Sequence, residues 1–311
     1  MIFDGLGPGI GPTTSPESVD AALSHLVALG VSGTQLTANG WDVVLNGRVV
    51  ERRLVRYRAV VERYRLSYTF HAPIAELNLA APDDAFQRQQ CRAWLEVAAA
   101  LGCRTMTYHP GRFDPAMDPH STAATRLAQE REHLASLAET AQSLGVVIAC
   151  ENLVTQAWWP AGKRHHSADP AWLVELVEGI GHPSVATCLD FGHLQLASVI
   201  ERFDFAAAAA RLAPYAVVLH VHDNFAKPMQ PPEAVGGASP AMPVIRGEGD
   251  LHLPPGWGTV PLEAAFEAGR FTRRPIMVLE MESRYWRDDP DVVRESLAAG
   301  RRFSELVPPH S

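Results

Sequence analysis

TAATRLAQEREHLASLAETAQSLGVVIACE, residues 122–151, decides the fold. Apolar residues recur at helical spacing from Thr122 to Leu144, and Gly145 then stops the helix, as glycine does just past a last turn. A continuous apolar run follows, Val146 to Glu151, too short for a helix and ending on an acid. A long amphipathic helix feeding a fully buried strand is the repeating unit of a parallel sheet covered by helices.

The same unit recurs in both directions. Strands are predicted over Ile2 to Gly5, Gly33 to Ala38, Leu66 to His71, Arg104 to His109, Val146 to Glu151, Val185 to Asp190, Ala216 to His222 and Pro275 to Glu280. Helices are predicted between them, over Ser18 to Leu29, Arg52 to Tyr64, Phe86 to Leu101, Thr122 to Leu144, Pro170 to Ile180, Phe203 to Leu212 and Leu262 to Ala268, with a last one from Asp291 to Leu306. Strict alternation through eight strands predicts an α/β chain closed into a (β/α)8 TIM barrel, a single domain over residues 1–311. GLGPGIG near the start is glycine-rich but lacks the spacing and the following helix of a phosphate-binding turn. Leu153 to His166 and Asn224 to Gly258 read as long irregular loops. Both follow strands and so belong at the mouth of the barrel, where active sites sit.

The composition narrows the function. The net charge of -8 gives no general basic field for nucleic acid. Lys163 and Lys227 are the only lysines among 27 basic residues. Four cysteines without a C-x-x-C pair read as buried reduced thiols. MIFDGLGPGIGPTTSPESVD lacks the basic and apolar regions of a signal peptide, and no apolar run reaches about 18 residues, so no membrane span and a cytoplasmic location are expected. A homo-oligomer is left open.

The chemistry lies where the strands end. FHAP places His71, YHPG places His109, CEN places Glu151, LDFGH places Asp190 and His193, and LHVHDN places His220, His222 and Asp223. DLHLPPGWG supplies Asp250 and His252, and VLEME supplies Glu280. Alone, a strand-end histidine is more often a hydrogen-bonded structural residue than a ligand. Together, His71, His109, Glu151, Asp190, His193, His220, Asp250, His252 and Glu280 predict a metal site. Imidazole and carboxylate suit zinc or manganese, and four carboxylates at one mouth need cations to offset their repulsion. One to three divalent ions are expected. Trp158, Trp159, Lys163, His222 and Trp257 are the candidate substrate-binding residues, since aromatic faces stack on sugar rings and cations hold anionic groups.

These segments resemble the xylose-isomerase-like barrel superfamily, from the third strand onward most clearly. His71 stands in its H-A-P motif, His109 in H-P-G, Glu151 in E-N, Asp190 and His193 in D-x-x-H, His220 and Asp223 in H-x-x-D, and Asp250 and His252 in D-x-H. The full ligand set is similar to the trinuclear zinc set of endonuclease IV. The resemblance to the sugar isomerases and epimerases of the superfamily implies a smaller core of Glu151, Asp190, His220 and Glu280. There, Glu151 and Glu280 would also move protons through an enediolate. ENLVTQAWWP and HDNFAKP depart from the nuclease pattern, which argues against a nucleic acid partner. Phe225, Ala226 and Lys227 stand where ketose epimerases often carry an arginine. The resemblance therefore implies a metal-dependent isomerase or epimerase of a sugar, sugar phosphate or polyol. The alternatives are an abasic-site phosphodiesterase or a sugar-acid or cyclitol dehydratase.

Overall fold

Glycine, not a β-branched run, begins the barrel. A computed structural model describes residues 3–11, 13–156, 159–160, 162–231 and 242–308. Its first strand, β1, is Gly5–Pro8, inside the glycine-rich stretch and downstream of the predicted Ile2 to Gly5. The others are β2 Gly33–Thr37, β3 Ser67–His71, β4 Thr105–Tyr108, β5 Val147–Glu151, β6 Val185–Asp190, β7 Ala216–Val221 and β8 Ile276–Leu279. They form one parallel sheet in the order β1-β8-β7-β6-β5-β4-β3-β2. β1 and β2 meet through Ser32 N donating to Leu6 O at 3.1 Å and a bridge between Ile10 and Leu36. A Cβ on Gly5 would lie 2.9 Å from Gly33 Cα, so only residues without side chains let the first two strands approach this closely. That is why an apolar-run reading misplaces β1.

The helices carry their own start and stop signals. Pro170–Ile180 begins with the Asp169 side chain accepting from Ala171 N, has proline in its first turn, and ends at Gly181 with φ 63°. Ala123–Ser143 is capped by the Thr122 hydroxyl accepting from Thr125 N. Three helices among the described residues lie outside the predicted set: Met242–Arg246, within the stretch read as an irregular loop, Ser283–Trp286, and Phe191–Glu201, which starts directly after β6 with Asp190 as its cap accepting from His193 N at 2.7 Å. Leu23, Leu26, Phe70, Leu134, Leu137 and Phe266 are fully buried between sheet and helices. Each such side chain contributes roughly 1.5–3 kcal/mol. Inside the barrel the packing residues are smaller, including Ala149, Ala186, Cys188, Val218 and Val278. Cys91, Cys103, Cys150 and Cys188 are free and buried. No helix among the described residues is long and apolar enough to cross a membrane.

Candidate metal centre

Parallel strands end on the same side, so their last residues share one mouth. Register sharpens this: Glu151 pairs with Cys188, and Asp190 with His220. His109, His222 and Glu280 each directly follow the last residue of their strands, and His193 stands in the first turn of helix 191–201. Asp250 and His252 arrive from the loop after β7, which folds back through a two-way backbone pairing of Asp223 with Leu253 at 2.8 and 3.0 Å. All nine metal-type residues of the sequence are thus brought to one place, in three compartments.

In the first, His71, His109 and Glu151 offer donor atoms within 4.8 Å of one another. His109 Nε2 is 2.9 Å and His71 Nε2 3.4 Å from Glu151 Oε2. The second joins Glu151, Asp190, His220 and Glu280. Here His220 Nδ1 is 3.2 Å from Glu151, 3.5 Å from Asp190 and 3.1 Å from Glu280. Glu151 therefore serves both. The third joins His193, His222, Asp250 and His252. His222, predicted to touch substrate, lies in this compartment, fully buried. Cys188 lies beneath Glu151 and His220, but burial carries its thiol up to about 12, which keeps it neutral.

The electrostatics follow from burial opposed by pairing. Burial alone would raise the Glu151 carboxyl, but His220 and His109 hold it well below the usual range. Asp190 is held low against burial by His193 and His222, Asp250 by His252 and His193, and Glu280 by His220. The imidazoles answer in kind. Burial would lower His252, yet Asp250 carries it up to about 10, and His193 and His220 are also raised by their carboxylates. His109 goes the other way, because burial outweighs Glu151. Protons thus hold the carboxylates together where cations could replace them.

Unpartnered atoms supply the fit test for a cation. His109 Nε2 and Glu151 Oε2 face only each other, at 2.9 Å, while His222 Nδ1 and Asp250 Oδ1, 3.7 Å apart, are buried with no hydrogen-bond partner. Each such atom costs about 1–3 kcal/mol. All four point into the compartments, and the donor set is nitrogen and oxygen, as zinc and manganese require. The residues fit divalent cations.

Several residues that position the centre carry little sequence signal. Gln35, on β2 and buried, accepts from His220 Nε2 at 2.9 Å and donates to Glu280 at 3.3 Å. It holds the imidazole with Nδ1 facing the carboxylates. A lone amide in GTQLT that needs buried partners was the available clue. Asn152 donates to Asp190 O at 2.7 Å and accepts from Asp190 N at 2.9 Å, locking β5 to β6. The Asp223 carboxylate accepts from the amides of Asn224, Gly256 and Val260, so it braces the returning loop.

Glu130 supports the H-P-G turn from behind. Its carboxylate accepts from Tyr108 Oη at 2.5 Å and from Gly111 N at 2.8 Å. Burial pushes it up to about 7 from 4.5. The folded state therefore holds this proton more tightly than the unfolded chain. The contribution is full below the unfolded value and is lost as pH rises through about 7. Between about pH 5 and pH 8, wild type should lose on the order of 3 kcal/mol more stability than Glu130→Gln. Denaturant titrations at the two pH values check this; parallel pH profiles would contradict it.

Beside the first compartment lies a groove of about 730 Å³, lined by Asn78, Arg112, Phe113, Trp159, Lys163 and His165 among others. Its wall is a short ladder, Arg112–Phe113 pairing antiparallel with Arg164–His165. Trp159 and Lys163 do face one space, with Lys163 Nζ 5.0 Å from the Trp159 ring centre and 3.0 Å from Asp114. Arg112 is committed to the carbonyls of Ile74 and Leu77. Burial, with His109 nearby, lowers His165 to about 3. The loop's cations are thus largely paired internally. Trp257 is half-exposed and packs against Tyr285 instead of lining this groove. Trp158 lies outside the described residues.

A closed parallel barrel with a carboxylate–imidazole cluster at its mouth defines the class. The chain belongs to the xylose isomerase-like TIM barrel family, whose model matches residues 23–303. It is 27% identical over 168 residues to an uncharacterized protein of Methanocaldococcus jannaschii, a match covering 53% of this chain and only 59% of that one. It is similar in structure to a D-tagatose 3-epimerase-like protein, with TM-score 0.68 and 18% identity over 97% of this chain and 98% of that one. A D-psicose 3-epimerase solved in the presence of D-fructose gives TM-score 0.63 and 18% identity, covering 93% and 94%. At these identities the structural likeness is one of fold.

Proposed function

We propose that this chain is a divalent-metal-dependent epimerase or isomerase of a sugar, sugar phosphate or related polyol, working in the cytoplasm with zinc or manganese. The observation that carries the reading is the second compartment, where Glu151, Asp190, His220 and Glu280 bring donor atoms within 4.8 Å. The names of the two epimerase structures agree with it. Glu151 ends β5 and Glu280 follows β8, with β6 and β7 between them in the sheet. The two carboxylates therefore reach the site from different directions. One takes a proton from the carbon beside a carbonyl, and the other returns a proton on the opposite face. His220, held by Gln35, keeps both carboxylates ionised, and Trp159 lines the neighbouring groove, where an aromatic ring suits a sugar. A bound divalent cation supplies Lewis-acid polarisation of the substrate oxygens.

The test is a panel of ketohexoses and their phosphates, in heavy water, with protein stripped and then loaded with zinc or manganese. Metal-dependent epimerisation with deuterium gained at the inverted carbon is expected. A second reading, phosphodiester cleavage at abasic sites, is favoured by the presence of three compartments instead of one. Cleavage of an abasic duplex, with no exchange on any sugar, would overturn the first reading in favour of the second.

A further inference from the structure

We propose that the groove between the loops after β3, β4 and β5 is a subsite for an uncharged second ring, so that the sugar turned over at the metal centre carries a glycosyl or similar ring substituent. The choice of a sugar rests on the epimerase reading; the size and charge of the substituent come from the groove itself. The groove holds about 730 Å³, and none of the nine metal-type residues lines it. Pockets that bury drug-sized molecules measure about 300–1,000 Å³, so this space takes a ring system on its own. It shares a turn with the first compartment. Gly111, two residues past His109, accepts from His166 N at 2.7 Å, and the neighbouring His165 is part of the groove wall. A substrate confined to the compartments would leave this space to water.

The charges of the groove argue against an anionic substituent. Arg112, Lys163 and Arg164 line it, and so do the carboxylates of Asp83, Asp114 and Asp118, equal in number. Each cation is already engaged. Lys163 Nζ is 3.0 Å from Asp114, Arg164 is 3.5 Å from Glu201, and Arg112 donates to Ile74 O at 2.7 Å and to Leu77 O. His165, held neutral by burial, adds no positive charge. A phosphate would have to break the Lys163–Asp114 pair or lie beside Asp114 itself, and a charge taken from water without a partner is costly. The remaining surface suits a neutral ring. Trp159 and Phe113 supply aromatic area, and Ala80, Ala81 and Pro82 supply an apolar side.

The test keeps one ketose and varies what it carries. Calorimetry on the zinc-loaded protein compares D-fructose, D-fructose 6-phosphate and the reducing glucosyl-fructoses turanose, maltulose, leucrose and isomaltulose, which bear the second ring on different oxygens. At least one glucosyl-fructose should bind more tightly than D-fructose by about tenfold or more. Trp159→Ala should remove that gain and Trp159→Phe should keep most of it, which separates the ring from a general loosening of the loop. No glucosyl-fructose tighter than D-fructose, or a gain that survives in Trp159→Ala, would overturn the proposal. So would a comparable gain for D-fructose 6-phosphate that Lys163→Met abolishes. Failure of the subsite and failure of the epimerase look different. Deuterium exchange into D-fructose with no gain from a second ring removes the subsite alone. A Trp159-dependent gain in a protein that exchanges no sugar proton removes the epimerase and leaves the subsite.

Discussion

Glu151→Gln is expected to leave a folded barrel that has lost both turnover and part of its metal. The substitution keeps the volume of the side chain and the backbone pairing of β5. It replaces one acceptor oxygen with a donor, however, in a space where His71, His109, His193 and His220 all stand within 3.4 Å of the carboxylate. Glu151 is 1% exposed, so water cannot compensate. Two compartments lose their shared anion together, and the reaction loses one of its two proton carriers. General acid–base catalysis alone contributes about 10²–10⁴-fold. With metal loss added, kcat should fall by at least about a thousandfold. Steady-state kinetics on whichever sugar proves active, with metal counted on the same sample, decides the matter. Unchanged turnover would remove Glu151 from the mechanism.

Gly192→Ala carries the second large effect, and its sign runs against helix propensity. Within a helix, alanine is normally better than glycine by roughly 0.5–1 kcal/mol. Here the added methyl would sit 1.9 Å from His222 Cε1, and the ring it meets is fully buried. Either the ring leaves its position or helix 191–201 shifts, and both break the contact between His222 and Asp190 at 3.1 Å. Overpacking of this kind costs about 1–3 kcal/mol and occasionally more. The variant should therefore be less stable than wild type by about 2 kcal/mol or more in denaturant unfolding. A variant as stable as wild type would mean the mouth has slack that the packing denies.

What could be read beforehand tracks how local each signal is. β6 and helix 170–180 fall where the sequence puts them, because a β-branched run, a capping aspartate and a terminal glycine are contained within a few residues. β1 slips because its qualification is an absence: Gly5 is chosen by the closeness of Gly33, a partner far along the chain. Helix 191–201 carries a weak signal in the sequence, because a glycine stands in its first turn and its capping residue, Asp190, is also one of the metal-type carboxylates. The metal-type residues could be found at strand ends, but their division into compartments could not. That division depends on how the loop after β7 folds back, which Asp223 decides through amides distant in sequence. His222 had a usable signal. In HVH, His220 and His222 are two apart along a strand and so share a face.

The ladder joining Arg112–Phe113 to Arg164–His165 has a consequence for discrimination among ligands. It couples the loops after β4 and β5, so that side of the groove is already ordered before anything binds. A visitor there meets a fixed wall and loses little affinity to ordering it. Stereoisomers that differ at one hydroxyl would then be separated by fit against a template and not by a closing motion. Selectivity along this side should accordingly show up in how slowly the right isomer leaves, more than in how fast any of them arrives.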